Sequence, residues 1–438
     1  MNTADFILYR DLPHQDVFTD MTWVMEHYED EFYNEEDKKA LYFECVNALV
    51  ELAGHYGLEG NLWHAYLAFL IANGENAFST ACEVVGRVNG SVNQLAMMDF
   101  KVFKEMFSFD LACLDQHFGT QLASVLQNYT NVNENSKVFN KRIRDRICEL
   151  GRNLAKAENE EAFFQIVTDF YKGFGVGTFG LHKAFRIVHN SEEDAQIVPI
   201  TCTEHVSLDD LVGYEIQKKK LMDNTRDFVE GRPANNVLLF GDSGTGKSSS
   251  IKAILNEYYD QGLRMIEIYK HQFRDLSSVI AQVKDRNYKF IIYMDDLSFE
   301  EFEIEYKYLK AVIEGGLEKK PDNVLIYATS NRRHLIKESF DDTKDYNREL
   351  HSSDTVQEKL SLVARFGVTI YFGAPDKKEF QNIIRNLAKR AGISMDEDTL
   401  FLEANRWELS HGGLSGRTAA QFITYLKGQQ VIHERKKG

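Results

Sequence analysis

A glycine-rich octapeptide limits the folds that this 438-residue chain can adopt. Residues 241–248 read Gly-Asp-Ser-Gly-Thr-Gly-Lys-Ser, directly after the apolar run 236–240 and before the helix-like run 248–255. In a strand–loop–helix setting, such a loop turns backbone N–H groups around a phosphate, while its lysine neutralises charge and its serine hydroxyl is available to magnesium. The sequence therefore predicts a phosphate-binding loop (P-loop) formed by Gly241, Asp242, Ser243, Gly244, Thr245, Gly246, Lys247 and Ser248.

Length and composition indicate more than one folded unit. The chain is two to three times as long as a typical domain of about 150 residues, and 43% of its residues are apolar. No apolar run approaches the ~18 residues of a membrane span, and the first residues lack the basic and apolar parts of a signal peptide. Its five cysteines are far apart, which is typical of reduced thiols. We therefore expect a cytoplasmic protein without a membrane segment.

The charge of the chain bears on its partners. The 51 Lys and Arg residues against 67 Asp and Glu residues give a formal net charge of -16. A molecule of this charge repels polyphosphate as a whole, so nucleic-acid binding is disfavoured, although a local basic patch remains an open alternative.

The pattern of apolar residues changes along the chain. Apolar residues recur every three or four positions from about 16 to 172, which predicts an all-helical N-terminal domain over residues 1–190, followed by a linker at 191–205. Five apolar strands then alternate with helix-length segments and predict an α/β domain with a parallel five-stranded sheet over residues 206–375. Residues 376–438 are predicted to form a helical lid domain. The five predicted strands are 236–240, 263–269, 290–294, 324–328 and 368–372.

Two strand ends carry polar side chains suited to phosphate chemistry. Asp295 and Asp296 follow the third strand, as in a Walker B motif, where the first carboxylate holds the magnesium water shell and the second polarises the attacking water. A capped strand end is the structural alternative for this pair. Asn331 follows the fourth strand and is our candidate for positioning that water, with Thr329 or Ser330 as alternatives if the assignment shifts by one or two residues.

Two further runs complete the series of motifs. Residues 360–367 read Leu-Ser-Leu-Val-Ala-Arg-Phe-Gly before the fifth strand, and residues 413–422 open the last helix. In this order the motifs resemble those of the AAA+ ATPases over about residues 206–434. In that superfamily the equivalents of Asn331, Arg365 and Arg417 are sensor 1, the arginine finger and sensor 2. The run containing Val212 and Gly213 is similar to the segment of the family that lines the adenine pocket.

The resemblance implies that the chain binds ATP and Mg²⁺ and hydrolyses ATP. An arginine finger reaches the γ-phosphate of a neighbouring subunit, so Arg365 predicts a homo-oligomer, and Arg332 and Arg333 are competing candidates for that role. Arg417 is expected to contact the nucleotide of its own subunit and to report its presence as a lid movement.

The resulting functional hypothesis is an ATPase that couples nucleotide binding and hydrolysis to oligomer assembly or to remodelling of a protein partner. The layout is similar to that of a little-characterised bacterial AAA+ family, and it leaves the client open. One alternative is a DNA-handling initiator or helicase loader, because replication initiators of the superfamily also carry an Asp-Asp pair. Another is a switch that holds ATP with negligible turnover, because Asp296 is one methylene shorter than the usual glutamate.

Overall fold

A computed structural model describes residues 3–87, 89–131, 141–189, 195–201, 203, 206–299, 305–314, 321–331 and 362–435. Contacts between residues divide the chain into two units. The first is Met1–Lys183 with Pro199–Cys202, and the second is Ala184–Val198 with Thr203–Gly438. Part of the predicted linker, residues 191–194, 202 and 204–205, lies outside the described residues.

In the first unit up to Lys183, the regular elements of the described residues are helices, apart from an isolated β-bridge between Gly60 and Tyr129. Its third helix is apolar on all sides, and ten of its twelve residues are buried, so it occupies the centre of the unit. Side-chain caps define helix starts, as where the Asn34 side chain accepts a hydrogen bond from the Glu36 N–H. The helices are α1 (Gln15–His27), α2 (Glu35–Tyr56), α3 (Leu62–Asn73), α4 (Ala77–Val85), α5 (Ser91–Ser108), α6 (Ala112–Phe118), α7 (Leu122–Gln127), α8 (Lys141–Ala155), α9 (Glu160–Phe174) and α10 (Gly177–Leu181).

The second unit alternates strands and helices around one sheet. Buried apolar strands separated by helices are typical of a parallel sheet covered on both faces. The elements are β1 (Ala184–His189), β2 (Ala195–Pro199), α11 (Glu215–Val229), β3 (Val237–Gly241), α12 (Lys247–Tyr258), β4 (Leu263–Glu267), α13 (Leu276–Val283), β5 (Lys289–Met294), α14 (Glu305–Glu314), β6 (Val324–Ser330), β7 (Val368–Phe372), α15 (Lys377–Arg390), α16 (Glu397–Ser410) and α17 (Gly416–Arg435).

Among the described residues the sheet has seven strands in the order β2-β1-β4-β5-β6-β3-β7, which corrects the predicted count of five. Strands occur at all five predicted positions, and β1 and β2 extend the sheet beyond β4. Ala184 of β1 pairs with Met265 of β4 in parallel. Only one face of β1 is consistently buried, so its alternating pattern is weaker than the apolar runs of the central strands, and the sequence pattern placed it in the helical domain.

Strand β6 lies between β5 and β3 and is parallel to both. In a parallel sheet the carboxyl ends of all strands lie at one edge. The residues that follow β3, β5 and β6 are therefore neighbours in space, although they are separated by tens of residues in the sequence.

The last three helices of the second unit share a core of their own. Phe380 and Ile384 of α15 pack in one apolar cluster with Ala419 and Phe422 of α17, and all four side chains are buried. An aspartate caps α15, since the Asp376 side chain accepts from the Glu379 N–H. Among the described residues, no helix combines the length and the hydropathy needed to cross a bilayer.

Candidate functional site

The P-loop connects β3 to α12, and its glycines adopt conformations that other residues rarely reach. Gly241, Gly244 and Gly246 have φ values of 134°, 74° and 94°. A Cβ atom on Gly241 would lie 2.1 Å from the carbonyl oxygen of Phe372 in β7. The next residue donates its backbone N–H to that same oxygen at 2.9 Å. Glycine at position 241 therefore lets β7 approach the loop and turns the following N–H groups toward the start of α12.

We expect Gly241→Ala to lower the free energy of unfolding by at least about 3 kcal/mol, because the added methyl group combines an unfavourable φ with a clash against β7. Gly231→Ala is the matched control, since Gly231 has a φ of 77° but a methyl group added there would have no atom within 4 Å. Strain alone predicts a loss of only about 1–2 kcal/mol at that position. Urea unfolding measures both values, and equal losses would contradict a close contact at Gly241.

Lys247 is the first residue of α12, and only 6% of its surface is exposed. Its ammonium group donates to the carbonyl oxygens of Gly241 at 2.9 Å and Asp242 at 2.7 Å, and to Asn331 Oδ1 at 3.0 Å. Burial lowers the pKa of Lys247, while the carboxylates of Asp242, Asp296 and Asp295 act in the opposite direction. The ammonium group thus lies inside the loop, bound to neutral oxygens that an anionic phosphate could replace.

Asp295 follows β5 and faces the start of α12. Its Oδ1 atom accepts hydrogen bonds from Ser248 Oγ at 2.7 Å and from Thr329 Oγ1 at 2.6 Å. Burial acts to raise the pKa of Asp295, but the hydrogen bonds from the hydroxyls of Thr329 and Ser248 outweigh it, so that the pKa is lowered. An ionised carboxylate beside a serine hydroxyl is a pair of oxygen donors that fits the preference of Mg²⁺ for oxygen ligands.

Asp296 has a φ of 50°, one of three positive values among the described non-glycine residues. Its backbone N–H donates to Thr329 Oγ1 at 2.9 Å, and its Oδ1 atom accepts from Asn331 Nδ2 at 2.7 Å. Asn331 therefore bridges the Asp296 carboxylate and the Lys247 ammonium group. This bridge exists because β6 is inserted between β5 and β3.

A cavity of about 760 Å³ opens above the P-loop. Leu211, Val212, Ile383 and Leu387 contribute apolar surface to its wall. The lining also includes the following predicted site residues: Ser243, Gly244, Thr245, Gly246, Lys247, Ser248, Asp295, Asp296, Asn331 and Arg417. The cavity thus has an apolar part and a part rich in charged and N–H groups, as a nucleotide requires.

The start of α17 contacts the P-loop through main-chain atoms. The Arg417 N–H donates to the Gly244 carbonyl oxygen at 3.1 Å, and a Cβ atom on Gly416 would lie 3.2 Å from that oxygen. Ser415 Oγ accepts from the Thr418 N–H at 3.0 Å and so caps the helix. These contacts place the backbone of Arg417 directly beside the loop.

The other predicted site residues lie outside the cavity lining. Gly241 and Asp242 contact Lys247 through their carbonyl oxygens, and Gly213 provides a turn with a φ of 85° next to Val212. Arg365 is not among the described residues that line the cavity. Arg332 and Arg333 lie outside the described residues.

Two hydroxyl residues have site contacts that the sequence did not predict. Thr329 was considered only as an alternative to Asn331, whereas it bonds both the Asp295 carboxylate and the Asp296 N–H. Tyr293, two residues before Asp295, was counted as part of an apolar strand, but its hydroxyl lies beside Asp295 and Ser248. The one sequence signal for this role is that Tyr293 carries the only hydroxyl in the run 290–294, whose other side chains are apolar.

The P-loop after a central parallel strand, the carboxylates after β5 and the inserted polar strand β6 together define an α/β unit with a P-loop and polar side chains at the carboxyl edge of its parallel sheet. Residues 181–430, more than half of the chain, match the DUF815 family, described as "Protein of unknown function (DUF815)". The chain belongs to this family. No curated protein matches the chain.

Solved structures with similar folds cover about half of the chain. One is the Thermotoga maritima RuvB Holliday junction branch migration motor, which is 16% identical over 52% of this chain and 67% of its own, with a TM-score of 0.37. Another is the FIGL-1 AAA domain in complex with ADP, which is 18% identical over 51% of this chain and 73% of its own, with a TM-score of 0.35.

Proposed function

We propose that this protein is an ATPase that binds ATP with Mg²⁺ in the cavity above the P-loop. The observation that carries the proposal is the hydrogen-bonded series from Lys247 through Asn331 to Asp296. It connects a cation suited to a terminal phosphate, an amide suited to positioning a water, and a carboxylate suited to polarising that water. These groups come from three separate elements and meet at the P-loop.

The remaining contacts support roles for the rest of the cavity. The N–H groups of residues 243–248 would bind the phosphates at the N-terminus of α12. Ser248 and Asp295 would hold the metal, and bound magnesium supplies neutralisation of charge on the phosphate oxygens. Val212 and Ile383 would pack against the adenine, so that residues 376–438 form a lid whose position depends on the nucleotide.

Replacing Asp296 with asparagine tests the hydrolytic step. Asparagine keeps an oxygen that accepts from Asn331 Nδ2 but cannot take a proton, so we expect single-turnover ATP hydrolysis to slow by about 10²-fold or more while ATP affinity changes little. Asp285→Asn, an exposed position, is the matched control. Equal hydrolysis rates in wild type and Asp296→Asn would contradict the assigned role.

A nucleotide-holding switch is the second candidate function. The Asp296 carboxylate is shorter than a glutamate and already accepts the Asn331 amide, which favours slow turnover. In that case wild type would bind ATP tightly and hydrolyse less than one ATP per site over the time of the assay. The DNA-handling alternative rests on the Asp295–Asp296 pair alone, and the net charge of -16 opposes it.

The biological output proposed for the ATPase is oligomer assembly or remodelling of a protein partner. It rests on Arg365 acting in trans as an arginine finger, the role that the AAA+ resemblance implies, and Arg365 is not among the described residues that line the cavity of its own chain. ATP binding would then favour the assembled form, since the nucleotide would contribute contacts to both subunits.

A further inference from the structure

The hydroxyl of Tyr293 is buried without a hydrogen-bond partner in the described structure. Tyr293 lies on β5, and only 2% of its surface is exposed. Its Oη atom makes no hydrogen bond to the described residues. An unsatisfied buried hydroxyl costs free energy, because it loses its hydrogen bonds to water and gains none in return. We therefore expect another state of the protein in which the Tyr293 hydroxyl has a hydrogen-bond partner.

Its neighbour across the sheet provides a direct contrast. Tyr293 pairs in register with Tyr327 of β6, which is also fully buried. The Tyr327 hydroxyl is within 2.9 Å of Thr225 Oγ1 and accepts from Asn224 Nδ2 at 3.0 Å. The two tyrosines are paired across the sheet and both buried, but only the Tyr327 hydroxyl is hydrogen-bonded among the described residues.

The surroundings of Tyr293 Oη are those of the metal side of the cavity. The Asp295 carboxylate lies beside the Tyr293 hydroxyl, which can donate one hydrogen bond. The Ser248 hydroxyl is also beside it. Both hydrogen bonds to Asp295 from Ser248 and Thr329 go to Oδ1. The second carboxylate oxygen, Oδ2, is therefore the natural acceptor for a third hydroxyl.

We propose that Tyr293 is a positioning residue of the magnesium site, an inference that rests on the proposed function. Ser248 and Asp295 would hold the metal, and a Ser248 hydroxyl used in this way would no longer donate to Asp295 Oδ1. The Tyr293 hydroxyl would then donate to Asp295 and keep its carboxylate oriented. Groups that orient metal-binding carboxylates in this way strengthen metal binding without touching the metal.

This role predicts that the Tyr293 hydroxyl couples the binding of Mg²⁺ to the binding of nucleotide. The hydroxyl is satisfied only when metal and nucleotide are both bound, so it should contribute to the effect of Mg²⁺ on nucleotide affinity and not to affinity without metal. Packing of the aromatic ring is independent of the hydroxyl, so a phenylalanine at this position retains the fold.

The test compares Tyr293→Phe with Tyr327→Phe in the full-length protein. The dissociation constant for ADP is measured by calorimetry with and without Mg²⁺. We expect Tyr293→Phe to reduce the Mg²⁺-dependent gain in affinity by about tenfold, as loss of a hydrogen bond to a charged group predicts, with unchanged affinity in the absence of metal. Its thermal midpoint should not fall, whereas Tyr327→Phe should lower the midpoint and leave the coupling intact.

Two outcomes would overturn the role of Tyr293. One is a Mg²⁺-dependent gain in ADP affinity that is as large in Tyr293→Phe as in wild type. The other is an equal loss of ADP affinity with and without Mg²⁺, which would indicate a packing effect. Failure of the proposed function is distinguishable, because wild type itself would then bind no ADP under either condition.

Discussion

Replacing Arg365 with alanine is expected to lower ATP turnover by about 10³-fold or more, the range typical of arginine fingers. The residue follows the helical turn at 362–364 just before β7 and does not line the cavity of its own chain within the described residues. A side chain that acts on a neighbour's γ-phosphate makes activity depend on assembly. The rate per subunit of wild type should therefore rise with protein concentration before it reaches a plateau.

Mixing experiments separate this role from a local defect. An Arg365→Ala subunit still binds ATP but gives its neighbour no arginine, so adding it to wild type should reduce activity by more than simple dilution. Arg406→Ala is the matched control, because Arg406 is exposed and pairs with Glu403 on the surface, where ion pairs contribute little. Two results together would contradict a site shared between subunits. The first is ATP turnover per subunit that does not depend on protein concentration, and the second is a loss of activity on adding Arg365→Ala that is no larger than dilution predicts.

Replacing Lys247 with alanine is expected to weaken ATP binding and turnover by at least about 10²-fold. The reason is electrostatic, since this buried ammonium group is bonded to two loop carbonyls and to Asn331, beside the N–H groups that would receive the phosphates. Wild type should gain thermal stability when MgATP is added, as any ligand of the native state produces, and the variant should gain none.

The control for this prediction is Lys220→Ala, an exposed lysine on α11 of the same unit. It should show the wild-type shift of the thermal midpoint with MgATP. A Lys247→Ala protein that keeps this shift would contradict the proposal that the P-loop binds a triphosphate. Measurement without nucleotide separates this effect from any loss of folding, because Lys247 also satisfies carbonyl oxygens of the loop.

Part of the site was accessible to sequence reasoning because it depends on neighbours in the chain. The glycines at 241, 244 and 246 are required by local backbone conformation, and Lys247 follows them at the start of a helix. Asp295 and Asn331 were predicted because each directly follows a strongly apolar strand. Their roles in binding and catalysis remain predictions, while their convergence at one edge of the sheet is observed.

The contacts of the hydroxyl residues were not accessible in the same way. Thr329 bonds Asp295 and Asp296 because β6 and β5 are adjacent, and the order of strands is not encoded in any single apolar run. Tyr293 has the sequence pattern of a strand residue, and only the folded sheet brings its hydroxyl beside Ser248 at the start of α12. Strand β1 is not predicted by the sequence for a related reason, because a half-exposed strand has weak periodicity.

By itself, the sequence determined the P-loop, the five central strands and the helical character of both ends of the chain, because these follow from local backbone preferences and from the spacing of apolar residues. The tertiary structure alone decided which strands are neighbours, that the described part of the sheet has seven strands, and that Lys247, Asn331 and Asp296 are joined by hydrogen bonds. The physical reason is distance along the chain. A hydrogen bond between residues 84 positions apart exists only after the whole sheet has assembled.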